Sequence, residues 1–91
     1  YALAHYYLGI TYAFMGRFAD AERHLRQAKL QPFLLRNDLA WLQLQQGDRT
    51  QAEELYRRLK EDVLQGRLDY PTLLLPATSL GRWDDAIAAL N

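Results

Sequence analysis

The stretch LGITYAFMGRFADAERHLRQA, Leu8 to Ala28, decides the fold. In its second half Phe18, Ala21, Leu25 and Ala28 recur at spacings of three and four. That is the apolar stripe of an amphipathic helix, here running from Phe18 to Leu30. Asp20, Glu22, Arg23, Arg26 and Lys29 fall on its other side. The segment before it, Tyr1 to Met15, is apolar nearly all round. Only His5, Thr11 and the tyrosine hydroxyls are polar. A helix of that kind is buried or lines a groove. Gly16 supplies the residue that takes up the left-handed backbone and ends the first helix. Gly9, Ala21 and Ala28 are small where two helices must approach. Leu8 to Ala28 therefore reads as two helices folded back on each other at Gly16.

The pattern returns twice. Around Gly47 the chain reads NDLAWLQLQQGDRTQAEELYRRL, with Leu39 and Ala40 in the places of Leu8 and Gly9. There Ala52 stands for Ala21 and Tyr56 for Leu25. Around Gly81 it reads LLLPATSLGRWDDAIAAL, with Leu73 and Leu74, Trp83, Ala86 and Leu90 in the corresponding places. From Gly16 to Gly47 is 31 residues and from Gly47 to Gly81 is 34. Three copies in phase resemble the tetratricopeptide repeat, a helix-turn-helix unit of about 34 residues. The resemblance implies an all-α fold, a right-handed superhelix (α-solenoid) of three antiparallel helix pairs. It divides residues 1–91, taken as a single domain, into repeats of approximately 1–32, 33–66 and 67–91, the last incomplete.

Composition narrows the function. Eleven basic residues balance eleven acidic ones, so the basic stripe of a nucleic-acid surface is not expected. The apolar runs are far shorter than the ~20 residues of a membrane span. There is no cysteine, hence neither disulfide nor thiolate chemistry. The chain starts at Tyr1 in mid-pattern and stops at Asn91 inside a helix, and so reads as a piece of a longer protein. It shows no targeting segment, and its expected place is the cytoplasm.

Taken in order, the third helix runs from about Leu34 to Gln46, after Pro32 has stopped the second. The fourth starts at Asp48 or Thr50, with Thr50 and Glu53 matching a capping box, and continues to about Gln65. The pairs Glu53–Arg57, Glu54–Arg58, Arg57–Glu61 and Arg58–Asp62 lie four apart on its outer face. Pro71 suits the first turn of the fifth helix. Pro76 does not suit its interior, so that helix is expected to be kinked or to start late. Trp83 to Leu90 is the sixth, with Asp84 and Asp85 near its positive end.

No catalytic motif is present: the chain has no nucleophile elbow and no phosphate loop. No cofactor is implied and an enzyme is not expected. Asp20 and His24 are four apart on one helix face, but nothing in the sequence brings His5 to them. A metal site needs three or four ligands, so none is expected.

The resemblance implies instead a concave groove lined by the first helix of each repeat, which takes a protein or peptide partner. The groove positions carried over are Tyr6, Ile10 and Phe14, then Asn37, Trp41, Leu44 and Gln45, then Leu75 and Ser79. Trp41 stands out because tryptophan is enriched at binding hot spots. Asn37, Trp41 and Gln45 share one face, expected to lie opposite the surface packed on Tyr56. Tyr6 and Ile10 occupy the places where one subfamily carries carboxylate-gripping Lys and Asn, so that mode is not implied. An apolar, aromatic groove favours an apolar peptide or an amphipathic helix. The second reading is self-association as a homo-oligomer. Trp83, Ile87 and Leu90 form an apolar stripe with no following helix to cover it, and Tyr1, Leu3 and Tyr7 raise the same question at the other end.

Overall fold

A computed structural model describes residues 2–90. Tyr1 and Asn91, and the expectations placed on them, lie outside the described residues. Six helices run in order: α1 (Ala2–Phe14), α2 (Phe18–Gln27), α3 (Pro32–Gly47), α4 (Arg49–Leu64), α5 (Leu74–Ser79) and α6 (Trp83–Leu90). A 3-10 turn, Tyr70–Leu73, leads directly into α5. No strand occurs among the described residues.

The first pair forms as its sequence demands. At Gly16, φ is +81°, and α1 closes with Arg17 N–H donating to the Tyr12 carbonyl (2.9 Å) and Gly16 N–H to that of Ala13 (3.1 Å). This is the Schellman closure that glycine makes easy. The chain turns back and α2 lies against α1 along Ala21 and Leu25, both fully buried. Gly9 is the point of closest approach. A methyl group there would stand 2.9 Å from Leu25 Cδ2 and 3.3 Å from the Ala21 carbonyl oxygen. The small residue is required by packing, not by backbone conformation.

The boundaries differ from expectation where prolines and caps compete. Pro32 does not merely stop α2. It occupies the first turn of α3, where a missing N–H costs nothing. The cap of α4 is Asp48, whose Oδ1 accepts from Thr50 N (3.0 Å) and Gln51 N (3.2 Å), rather than Thr50 with Glu53. Of the four expected ion pairs on α4, only Glu54–Arg58 is made, at 3.8 Å. Arg57 turns instead to Glu54 at 2.6 Å. For α5 the late start is what occurs. Pro76 is its third residue, in the first turn, and is fully enclosed.

The helices do not fan out into a regular superhelix. In a solenoid each repeat touches only its neighbours. Here α1 of the first pair packs directly against α5 of the third, as well as against α2. The radius of gyration is 11.9 Å, the size of a closed domain of this length, for which about 12 Å is usual. The core therefore runs through the place where an open groove was expected. It joins Tyr6, Ile10 and Ala13 of α1 to Leu25, Trp41, Tyr56, Leu73, Leu75 and Ala77.

Candidate functional site

The expected groove residues separate by burial. Tyr6, Ile10, Trp41, Leu75 and Ser79 are buried, Asn37, Leu44 and Gln45 are half-buried, and Phe14 is exposed. The reading of Trp41 as an open groove residue is therefore corrected. Its indole is 0% exposed and lies edge-on to the Tyr56 ring, centroids 6.3 Å apart, on the very side it was expected to avoid. Its Nε1–H donates to Ser79 Oγ (2.8 Å) and Gln45 Oε1 (3.0 Å), while Gln45 Nε2 donates to the Ser79 carbonyl (3.4 Å). Ser79 Oγ–H in turn donates to the Pro76 carbonyl (2.9 Å). The face of α3 expected to read a peptide backbone instead ties the second pair to the end of α5.

A second polar group lies where α1 covers α3. Asp38 is fully enclosed, beside Asn37 of its own helix and Tyr6 of α1. Both Asp38 carboxyl oxygens, Tyr6 Oη and Asn37 Nδ2 are buried without a hydrogen bond of standard geometry, although Asn37 and Tyr6 lie close enough to lower the carboxyl's pKa. Burial outweighs that pull and pushes Asp38 up to about 7. The Tyr6 hydroxyl is pushed up, first by burial and then by the Asp38 charge. Asp38 was not among the expected site residues. The signal lay in its position: Asp38, Trp41, Leu42 and Gln45 share one helix face, so the carboxylate sits on the side that faces the core.

A profile of the tetratricopeptide repeat matches residues 2–27 and 34–58, more than half of the chain. The chain belongs to the tetratricopeptide repeat family. The matches cover α1 with α2, and α3 with the first part of α4. The third pair, with its 3-10 turn and six-residue α5, lies outside them. No curated protein and no solved structure matches the chain. Tetratricopeptide repeats generally mediate protein–protein interaction.

Two further clusters join elements of this tetratricopeptide-repeat domain. Tyr56 Oη donates to Asp85 Oδ2 (2.7 Å), Lys60 Nζ lies 3.2 Å from Asp85 Oδ1, and the Arg82 guanidinium lies 5.7 Å from the Tyr56 ring centre. The Tyr56 hydrogen bond, with Lys60 second, holds the Asp85 carboxyl below the usual range. At the other end His5 and His24 meet, Nδ1 to Nδ1 at 3.1 Å, contrary to the expectation that His5 lies elsewhere. The imidazoles are 25° from parallel, and their contact joins α1 to α2. No group of three or more potential metal ligands occurs among the described residues. Among the described residues no helix is long and apolar enough to cross a membrane.

An exposed apolar surface lies on α6 and the end of α1. Trp83, Ile87 and Leu90 are 51%, 58% and 58% exposed, and Phe14 meets the Trp83 ring at 5.2 Å. Met15 extends the same end of α1, and Leu3 and Tyr7 are exposed further back along that helix.

Proposed function

We propose that this domain is a non-catalytic protein–protein interaction module whose contact surface is the stripe Trp83, Ile87 and Leu90 with Phe14. The occupant is a second copy of the chain. The supporting observation is the stripe itself. Three large apolar residues one helical turn apart, each more than half exposed and joined to a fourth by ring contact, are costly to leave in water. The formal charge of zero opposes no such meeting of copies. Sedimentation of the domain across a hundredfold range of concentration tests this. A rising mass is expected, and a monomer at every concentration would overturn it.

The second reading is binding of a peptide or partner helix on the face formed by α3 and α5. It is favoured by Asn37 Nδ2 and the Asp38 carboxyl, which are buried on α3 without a hydrogen bond of standard geometry. In this reading Asn37, Leu44, Gln45 and Leu75 line the bound segment together with Asp38.

A further inference from the structure

The links at one end of the molecule enclose a cleft that neither surface above uses. Residues 29–34, from the end of α2 into α3, form one wall, and residues 67–72, between α4 and α5, form the other. Its volume is about 840 Å³, within the range of sites that hold ligands. Leu30, Leu34, Leu68 and Pro71 give it an apolar lining, joined by Phe33, which is 54% exposed. Thr72 lines it too and is 6% exposed. The Thr72 N–H donates to the Asp69 carbonyl (3.0 Å), but its hydroxyl makes no hydrogen bond among the described residues. A buried hydroxyl without a partner on its own chain calls for one from outside. The charges around the cleft are unbalanced. Eight of the eleven lysines and arginines are in ion pairs. Of the other three, Arg82 lies over the Tyr56 ring, while Lys29 and Arg36 come before and after Phe33. Lys29 lines the cleft, and Arg36 is one helical turn past Phe33 on the same side of α3, both exposed. Arg67 on the far wall is balanced by Asp62 (2.8 Å), so Lys29 and Arg36 face Asp69 alone. Lys29 also holds φ +55°, the conformation for which α1, α4 and α5 end on Gly16, Gly66 and Gly81. A lysine there carries a conformational cost that glycine would not, and makes no ion pair among the described residues in return.

We propose that this cleft takes an extended acidic segment of a partner protein. One apolar side chain of the segment fills the space beside Phe33, Leu34 and Leu68. Acidic residues next to it pair with Lys29 and Arg36, and the Thr72 hydroxyl donates to an oxygen of the segment. The site is separate from the copy–copy stripe and from the α3–α5 face. Its cations are seven positions apart in the chain, which suits the spaced charges of a peptide rather than one small anion. The cleft lies between two links, not along a pair of helices, so it offers no ridges for a helix to pack on. Exposed ion pairs contribute little each, so the apolar side chain supplies affinity and the charges select the ligand. Asp69 repels acids on its own wall and confines them to the α3 side.

Titration of the whole domain with labelled peptides, read by fluorescence anisotropy and by assigned amide shifts, tests this. The probe is a capped peptide with one central phenylalanine and two glutamates on each side. Its controls carry glutamine for every glutamate, or alanine for the phenylalanine. At low salt the probe is expected to bind about tenfold more tightly than the glutamine control, with the gap closing at high salt. Amide shifts are expected at residues 29–34 and 67–72. Lys29→Asn, which tolerates the left-handed backbone, combined with Arg36→Gln is expected to abolish the gap while circular dichroism stays unchanged. Thr72→Val is expected to weaken the probe severalfold. Absence of binding, or equal binding of either control, overturns the proposal. So does competition by inorganic phosphate at constant ionic strength, which would mark a small-anion site instead. Shifts confined to α6 or to the α3–α5 face overturn it as well, and leave the earlier readings in place.

Discussion

At the scale of single residues, Trp41 shows how a statistical preference yields to packing. Tryptophan is common at binding hot spots, but an indole that touches Tyr56 and donates to Ser79 is doing a core residue's task. Trp41→Ala is expected to destabilise the domain by about 3–5 kcal/mol. Trp41→Phe, which keeps a ring but loses the Nε1–H, is expected to cost nearer 1–2 kcal/mol. Urea denaturation of both variants checks the ordering, and an unchanged midpoint for Trp41→Ala would refute the core assignment. Asp38 gives a pH signature. Its folded pKa is raised to about 7, above the ~3.9 of an unfolded aspartate. Between those values the native state holds a proton that the unfolded chain has released. Stability therefore falls as pH rises from about 4 to 7, and the penalty is complete above 7. Asp38→Asn is expected to flatten this slope and to raise stability at pH 8. Chemical denaturation at pH 5 and pH 8 measures it. The opposing group in contact is the Tyr6 hydroxyl, which is itself pushed up and stays neutral across this range.

At the scale of elements, the sequence was most legible where one local rule acted alone. Apolar spacing and Gly16 gave α1 and α2, and the acidic first turn of α6 lies where Asp84 and Asp85 placed it. It was least legible where two local rules competed. Asp48 and Thr50 are both good caps, and only the extended backbone at Asp48, φ −152°, selects between them. Pro76 likewise fits either a kink or a late start. Because it falls in the first turn of α5, it forfeits no helical hydrogen bond. Its ring is buried, and its carbonyl accepts from both Leu80 N (3.2 Å) and Ser79 Oγ (2.9 Å). Pro76→Ala is thus expected to destabilise by about 1–2 kcal/mol, through lost packing and a freer unfolded chain, rather than to stabilise. A higher thermal midpoint for the variant would show that the proline is a defect that the fold tolerates.

At the scale of the whole molecule, the sequence was silent about closure. An α1 that is apolar all round says that several sides are covered, not which helix covers each. Nothing in the period of the repeats distinguishes an open array from one that folds back. The meeting of His5 with His24, like that of Asp38 with Tyr6, depends on how helices align in space and leaves no trace in spacing along the chain. The exposed stripe of α6 was legible, because an eight-residue helix with Trp83, Ile87 and Leu90 on one side shows it directly. Leu90→Glu on that stripe is expected to weaken copy–copy association at least tenfold while leaving helicity unchanged. Sedimentation with circular dichroism reads both.

The packing of α1 on α5 also has a kinetic meaning. A linear array of repeats can begin to form anywhere and grow pair by pair, since each contact joins neighbours in sequence. Here the first helix cannot find its full set of partners until the chain has been made as far as residue 79. Contacts that span most of the chain carry a loop-closure cost before they return any stability, and so slow folding and bind the pairs into one cooperative unit. During synthesis the first pair therefore waits, with the apolar side of α1 uncovered, for a helix that has not yet left the ribosome.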